Sequence, residues 1–342
     1  MIEFDLNSLW FALVGVLFIG YFFLEGFDFG AGILLPVVGK DDLDRRVVVN
    51  TLGPVWDANE VWVITAGGAM FAAFPEWYAT LFSGFYLPLF LILVALIVRG
   101  VAFEYRSKDK RPEWRAWWDR AIFFGSALPA LLWGVAFANI VRGVKIDATG
   151  EYVGNLLDLL NPYALFGGLT TLALFTLHGA LFLSLKTGGD VAERAHRVAL
   201  GLTVPAAGLL FGFLTWTWRN AVAIDNDGVV PGAIPILAAV LLVAAIWLVR
   251  ERFHGWGFVA TGAAIALTTL TLFLNLYPRV MPSSIAPAFD LTIYNAASTS
   301  TTLTLMAWVA VAFVPIVLAY QAWSYWVFRK RMTRETLIPA GS

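Results

Sequence analysis

Four carboxylic acids lie inside the first two long apolar segments of the sequence, where ionisable residues are rare. Glu25 and Asp28 belong to the first segment, and Asp57 and Glu60 belong to the second. A charge at the centre of a bilayer costs on the order of 2.5–3.5 kcal/mol on insertion scales, so these acids need partners, protons or water. Closely spaced buried carboxyls cannot all ionise, and they exchange protons as a coupled set. The four acids therefore predict a path that carries protons.

The spacing of the acids predicts how they face one another. Within each segment they are three residues apart, which places both on one face of a helix. In antiparallel helices Asp28 and Asp57 share one depth, and Glu25 and Glu60 share another about one turn further in. Counted from the cytoplasmic helix ends at about 1.5 Å per residue, the acids lie roughly 15–20 Å deep. The expected arrangement is a ladder of carboxyls leading inward from the cytoplasm.

A simpler structural interpretation of the second pair stays open. In this interpretation the helix starts later, with Asn50 or Thr51 as its N-cap and Pro54 as an early residue. Asp57 and Glu60 then lie near the first turn, where the helix dipole favours acids.

Glycines and one arginine near the acids each have two interpretations. Gly26, Gly30 and Gly32 surround Asp28 and permit either close helix contact or a locally opened backbone. Arg99, at the predicted end of the third span, is typical of an anchor at the membrane interface, and a role in the site is its second interpretation.

The composition places these residues in a membrane protein. The 342 residues are 59% hydrophobic and 14% charged, with a mean hydropathy of +0.75, which leaves too little polar surface for a soluble fold. At roughly 20 residues per span, the apolar stretches predict nine transmembrane helices, near 8–38, 47–73, 79–98, 121–141, 162–185, 198–218, 231–249, 256–277 and 303–328. We expect an all-α fold of two four-helix bundles plus one helix, forming a single integral membrane domain over residues 1–342.

The distribution of basic residues predicts the orientation. All but four of the 23 Lys and Arg fall in loops on one side, and the exceptions are Arg142, Lys145, Arg219 and Arg279. By the positive-inside rule the N-terminus lies outside the cytoplasm and the C-terminus inside. The net charge of −1 provides no basic arm for nucleic acid.

Several kinds of cofactor site are disfavoured by the residue types. The chain has no Cys and three His, of which only His178 lies within a predicted span. A membrane haem held by two imidazoles needs two buried His on facing helices, so this chain alone is not expected to ligate one. We expect no metal site, because no metal-ligand spacing occurs.

Several segments together resemble subunit II of cytochrome bd-type quinol oxidases, and the resemblance covers essentially the whole chain. Its most specific part is the Trp-Asp-Ala-Asn-Glu-Val-Trp string at 56–62 at its distance from the Gly-Phe-Asp-Phe-Gly string at 26–30. The other matching segments are 82–86, 99–106, 281–284 and 295–298.

The resemblance implies a partner, subunit I, that carries two b-type haems, one d-type haem and the site of quinol oxidation. The complex would reduce O2 to water with protons from the cytoplasm, in the bacterial or archaeal plasma membrane among its lipids. In some members subunit II holds a quinone as a structural lipid, and small single-span subunits accompany the complex.

The resemblance also implies roles for individual residues. Asp28 and Asp57 match acids of a hydrophilic path toward the haems, with Glu25 and Glu60 as neighbours, although relatives carry Gln in place of Glu60. We expect Asn59, Trp56 and Trp62 to order this path or the subunit interface.

Two other classes of function remain open from the residues alone. A proton-coupled transporter would also contain buried acids, but its paired helix breaks usually recur in both halves, whereas here the acids crowd the first two spans. A membrane scaffold that only stabilises a catalytic partner would need none of the acids.

Overall fold

The computed structural model describes residues 5–222 and 232–337, which form a bundle of helices with one small hairpin. The helices are α1 (Leu6–Val38), α2 (Asp42–Leu52), α3 (Trp56–Ala73), α4 (Pro75–Gly84), α5 (Tyr86–Tyr105), α6 (Pro112–Arg142), α7 (Pro162–Lys186), α8 (Gly189–Val222), α9 (Ala233–Arg250), α10 (His254–Leu276), α11 (Ser300–Val327) and α12 (Arg334–Leu337). Short 3₁₀ turns occupy Leu156–Leu160 and Pro287–Phe289, and the strands are β1 (Arg279–Met281) and β2 (Leu291–Thr292).

Eight helices in the described ranges are long and apolar enough to cross a membrane: α1 and α5 to α11, without α12. They correspond to eight of the nine predicted spans, and the first residue of the predicted span 231–249 lies outside the described part. The predicted span 79–98 is wrong at its start, because the backbone leaves the helical region at Phe85 and residues 79–84 belong to the separate helix α4. The all-α membrane fold is confirmed, and the orientation stays a prediction.

The predicted second span, 47–73, is wrong as a single helix. The backbone turns at Gly53–Val55, so α2 ends at Leu52 and α3 starts at Trp56. Pro54 has no backbone N–H to donate to the helical ladder, and Val55, with φ −128° and ψ −24°, lies outside the helical region. The break leaves α3 with 18 residues, two of them acids, and α3 is not among the helices whose length and composition suit a membrane span.

The helices pack as two groups and one peripheral helix. One group contains α1, α3, α5 and α6, and the other contains α7, α8, α9 and α10. The groups meet where α1 and α6 pack on α7 and α10, while α11 touches α1 and α3. This grouping agrees with the predicted two four-helix bundles plus one.

Glycine allows α1 to approach its neighbours closely. A Cβ at Gly30 would lie 1.9 Å from the carbonyl oxygen of Phe175 and 2.8 Å from the backbone of Gly179, so α1 and α7 touch backbone to backbone there. A Cβ at Gly32 would lie 2.1 Å from the Ser126 hydroxyl on α6. Because α1 is unbroken through this region, the glycines serve close contact and not a locally opened backbone.

A compact connection joins α10 to α11. The strands β1 and β2 pair antiparallel. Ser283 connects this hairpin to the loop after α6, because its hydroxyl donates to the Ile146 carbonyl at 2.6 Å. Asn295 donates to the carbonyl of Asp290 at 2.9 Å. The segments 281–284 and 295–298, which carried part of the family resemblance, therefore shape this loop.

The opposite end of the bundle holds a cluster of ion pairs, here named the charged end, formed by three acids and four arginines: Asp42, Asp44, Asp119, Arg45, Arg106, Arg194 and Arg334. Asp119 accepts a hydrogen bond from Arg106 Nε at 2.5 Å, and Asp44 accepts one from Arg194 at 2.5 Å. These pairs connect the end of α5 to α6 and α2 to the start of α8, so they hold these helix ends together.

Candidate functional site

One arginine joins two of the four predicted acids inside the bundle. Arg99 on α5 donates through Nη2 to Glu25 Oε1 on α1 and, at 2.8 Å, to Glu60 Oε1 on α3. The side chains of Arg99 and Glu25 are fully buried, and that of Glu60 is 16% exposed. The shared position of Glu25 and Glu60 agrees with the depth predicted from their spacing.

Arg99 is not the interface anchor that its sequence position indicated. Helix α5 continues to Tyr105, seven residues past the predicted end, so Arg99 lies well inside it. Its guanidinium stacks 4.7 Å from the centroid of Phe29, and a Cβ at Gly125 would come within 2.8 Å of its side chain. Glycine on α6 therefore provides the space that Arg99 occupies.

Asp28 forms a second group with residues of α3 and α11. Asn59 Nδ2 donates to Asp28 Oδ2 at 2.6 Å, and both side chains are buried. The Asn59 amide oxygen accepts from the Tyr325 hydroxyl at 2.7 Å and from Gln321 Nε2 at 3.5 Å. Since the oxygen is engaged on one side, the amide NH2 is directed toward Asp28.

The two tryptophans predicted to order the site have different contacts. Trp62 donates its indole N–H to Gln321 Oε1 at 3.0 Å, and its ring occupies the space beside Gly20. Trp56 packs against Phe103 on α5, with ring centroids 5.5 Å apart. Trp62 thus joins the polar network, whereas Trp56 packs α3 against α5.

Asp57 does not pair with Asp28 as the ladder predicted. Asp57 is exposed on α3, and the α3 side chain bonded to Asp28 is Asn59. Residues two apart on a helix point about 200° apart, so Asp57 faces away from α1. It lies in the first turn of α3, as the simpler interpretation expected, while Glu60 lies beyond that turn. The helix start of that interpretation is wrong, because Asn50 and Thr51 lie inside α2 and the N-cap of α3 is Val55.

Sequence reasoning favoured the interface for Arg99 and missed two participants, Gln321 and Tyr325. Gln321 is one of two buried residues on α11, the other being Leu303. A neutral polar side chain in an apolar span is less conspicuous in a sequence than a charged one. The burial of Gln321 on an otherwise exposed helix is visible only in the structure.

The buried groups of this cluster are not fully satisfied by the described residues. Three carboxyls face one guanidinium, and Glu25 Oε2, Asp28 Oδ1, and Nε and Nη1 of Arg99 make no hydrogen bond there. Buried polar groups usually have partners, and three adjacent carboxylates with one cation cannot all be ionised in a medium of low dielectric constant. The cluster is therefore suited to holding and exchanging protons.

The three histidines do not fit axial ligation of a haem by this chain. His178 is buried, bonded through Nδ1 to the Thr261 hydroxyl at 2.8 Å and stacked on Phe258. His196 and His254 lie at helix ends and bond to each other at 3.0 Å. No two of them face each other across the membrane interior, and the described residues contain no cluster of His, Asp and Glu suited to a metal ion.

Comparison with known proteins gives the same relatives along nearly the whole chain. Residues 6–328 match the family model described as cytochrome bd terminal oxidase subunit II. The chain is 44% identical over 333 residues to cytochrome bd ubiquinol oxidase subunit 2 of Bacillus subtilis, covering 97% of this chain and 98% of that protein. It is 37% identical over 371 residues to cytochrome bd-I ubiquinol oxidase subunit 2 of Escherichia coli K12, covering 98% of each.

A solved structure shares the fold. A chain of the bd oxidase from Geobacillus thermodenitrificans aligns with a TM-score of 0.66 over 95% of this chain and 99% of that chain. Its sequence identity is 12%, so this likeness supports the fold alone. The sequence matches carry the assignment, and the chain belongs to the cytochrome bd terminal oxidase subunit II family.

Proposed function

We propose that this chain is the subunit of a terminal quinol oxidase that supplies protons to the site of O2 reduction while a partner, subunit I, carries the haems. Its relatives are named as subunits of cytochrome bd ubiquinol oxidases, which are oxidoreductases. The poor fit of its own histidines to a haem supports placing two haems b and one haem d on the partner. Quinol is the substrate of the complex.

The observation that carries the proposal is the buried cluster of Glu25, Asp28 and Glu60 around Arg99. Reduction of O2 to water consumes protons, and a proton crossing an apolar interior needs groups that bind and release it. Glu25 and Asp28 each keep one carboxyl oxygen that is not hydrogen-bonded within the described residues. Arg99 holds Glu25 and Glu60 side by side, so a proton bound by one is available to the other.

Asp57 and the polar residues around the cluster have supporting roles in this proposal. Asp57 lies on the outer face of α3, one turn from Glu60, where it passes protons between the cluster and the partner or the cytoplasm. Asn59 orients Asp28, and Trp62 holds Gln321 against Asn59. Trp56 fixes the distance between α3 and α5.

The surroundings of the complex follow from the same proposal. The charged end faces the cytoplasm, as the distribution of basic residues predicts, and the complex lies in the bacterial plasma membrane. A structural quinone on this subunit and small single-span subunits are further expectations from family resemblance.

Two steps test the proposal. First, a tag on this chain should co-purify a second large subunit with b-type and d-type haem bands in the reduced-minus-oxidised spectrum. A colourless single chain would instead favour the transporter. Second, Asp28→Asn should leave the haem bands intact and lower oxidase turnover per haem on the order of 100-fold, as loss of a proton-transferring group does.

The matched control is Asp109→Asn, the same change at an exposed residue of the α5–α6 loop that pairs with Arg111. It should leave turnover unchanged. Glu25→Gln and Asp57→Asn extend the series to the other end of the path. Full turnover in Asp28→Asn, Glu25→Gln and Asp57→Asn with haems intact would support the scaffold and reject the proton path.

A further inference from the structure

A cavity of about 490 Å³ lies away from the carboxylate cluster, where α7 ends, α10 begins and the chain continues past α11. The cavity is shallow and open on its outer side, so it is a surface groove and not an enclosed ligand site. Its lining combines cations with apolar side chains: Leu185, Arg252, Phe253, His254, Gly255, Trp256, Val259 and Arg331.

Arg331 is the cation of this cavity that has no partner within the described residues. Arg252 is engaged by Glu193 through two hydrogen bonds of 2.8 and 3.0 Å. His254 is bonded to His196. By contrast, the exposed Arg331 makes no hydrogen bond or ion pair with the described part of the chain.

Arg329, in the same segment, differs from Arg331 because its guanidinium has partners. Arg329 donates to the Trp326 carbonyl at 2.6 Å and lies 4.2 Å from the centroid of its ring. Arg331 therefore differs from Arg329, because its guanidinium is available to an anion. Arg331 also lines the cavity, together with Arg252.

The outer wall of the cavity is apolar and exposed. Trp256 is 68% exposed and Val259 53%, and both lie in the first two turns of α10, a helix long and apolar enough to cross the membrane. Tryptophan is enriched at the level where spans leave the bilayer. The cavity thus presents cations at its rim and a hydrocarbon-contacting wall beside them.

We propose that this cavity binds the headgroup of an anionic phospholipid. The phosphodiester lies against Arg331, and an acyl chain runs along Trp256 and Val259. Inorganic phosphate is also an anion, but it has no acyl chain to contact the apolar wall. The lipid is therefore the better occupant. Basic groups near the surface attract anionic lipids more strongly than zwitterionic ones.

The bound lipid would connect the C-terminal segment to α10. That segment is already attached to α7, since the amide of Met332 donates to the Lys186 carbonyl at 2.7 Å. A lipid between Arg331 and Trp256 adds a second attachment on the membrane side.

Native mass spectrometry of the purified complex, titrated with phosphatidylglycerol or phosphatidylcholine, tests the proposal. Arg331→Gln should weaken the tightest phosphatidylglycerol site about fivefold, the equivalent of one basic group near the surface. The matched control, Lys330→Gln, removes the same charge one residue away and does not line the cavity, so it should bind as the unmodified complex does.

Two further arms distinguish the sources of the anion. Trp256→Ala should weaken phosphatidylglycerol binding, and inorganic phosphate at equal concentration should not displace the lipid. Equal affinity for phosphatidylcholine, equal affinity in Arg331→Gln and the unmodified complex, or displacement by inorganic phosphate would each overturn the proposal. Thermal unfolding without added lipid, unchanged in Arg331→Gln, shows that the variant is folded.

Discussion

The buried cluster around Arg99 and the charged end contain the same residue types but opposite balances of charge. At the charged end Asp44 meets both Arg194 and Arg334, and Asp119 meets Arg45 and Arg106. In the buried cluster three carboxyls share one arginine, and buried oxygen atoms remain without partners in the described residues. Matched pairs hold helices in place, whereas a surplus of acids in a dry interior needs protons.

The largest expected effect comes from removing the arginine of the buried cluster. Arg99→Leu leaves Glu25 and Glu60 without their cation, and breaking a buried pair in this way costs about 3–5 kcal/mol. We expect the yield of assembled, haem-containing complex to fall at least tenfold, measured by haem spectra of the purified membranes.

The matched control is Arg120→Leu, because Arg120 is exposed on α6 over the ring of Trp117. It should assemble normally. Arg99→Leu combined with Glu25→Gln and Glu60→Gln should recover part of the yield, and no recovery in the triple variant would contradict the assignment of the loss to unpaired charge.

A second, smaller effect should separate structure from turnover at the charged end. Asp44→Asn removes the charge that Arg194 and Arg334 share, at a cost of about 1–3 kcal/mol to folding. Thermal unfolding of the complex should occur at a lower temperature while turnover per haem is unchanged. A loss of turnover in folded Asp44→Asn would contradict a purely structural role for the charged end.

A third variant tests whether α11 belongs to the buried cluster. Tyr325→Phe removes the hydroxyl that fixes Asn59, a hydrogen bond worth about 1 kcal/mol, so turnover should fall by about two- to fivefold with haem bands intact. Tyr320→Phe is the control on the same helix, since Tyr320 is 66% exposed. Equal turnover in the two variants would place Tyr325 outside the proton path.

The smallest effect concerns salt. The Arg334–Asp41 pair is exposed, at 41% and 53% of the side chains, and such pairs contribute about 0.2–1 kcal/mol and are screened by ions. The amide N–H of Asp44 lowers the pKa of Asp41, so Asp41 stays ionised near neutral pH and salt is the useful variable.

Raising NaCl from low concentration to 1 M should therefore lower the unfolding temperature of the unmodified complex slightly more than that of Arg334→Gln. The Glu25–Arg99 pair is fully buried and should contribute no salt dependence. A salt response that is identical in both proteins would contradict the contribution of the Arg334 pairs.

The sequence was sufficient for those parts of the fold that depend on length and apolar composition. The uninterrupted spans, such as α7 and α10, were predicted closely because a run of apolar residues has few alternatives in a bilayer. The break at Gly53–Val55 was missed because the residues on both sides remain compatible with helix. The end of α5 was placed too early because Arg99 was read as marking the interface.

Three of the four predicted acids lie in the candidate site, and family resemblance pointed to Asn59 and Trp62, whereas Gln321 and Tyr325 could not be predicted. Glu25, Asp28 and Glu60 stand out as charges in apolar segments, but which side chains meet them depends on packing between distant helices. Asn59 and Tyr325 are 266 residues apart, and no local pattern reports such a contact. The pairing of Asp28 with Asn59 in place of Asp57 followed from where α3 starts, a boundary that sequence alone locates poorly.

The separation of Glu25 from Arg99 has a consequence for biosynthesis. Seventy-four residues separate them, and at a synthesis rate of about 5–20 residues per second the ribosome needs roughly 4–15 s to reach the arginine. During that interval α1 enters the membrane with its acids lacking their cation. Until α5 arrives, the acids of the first helix must therefore be protonated, hydrated or shielded from lipid.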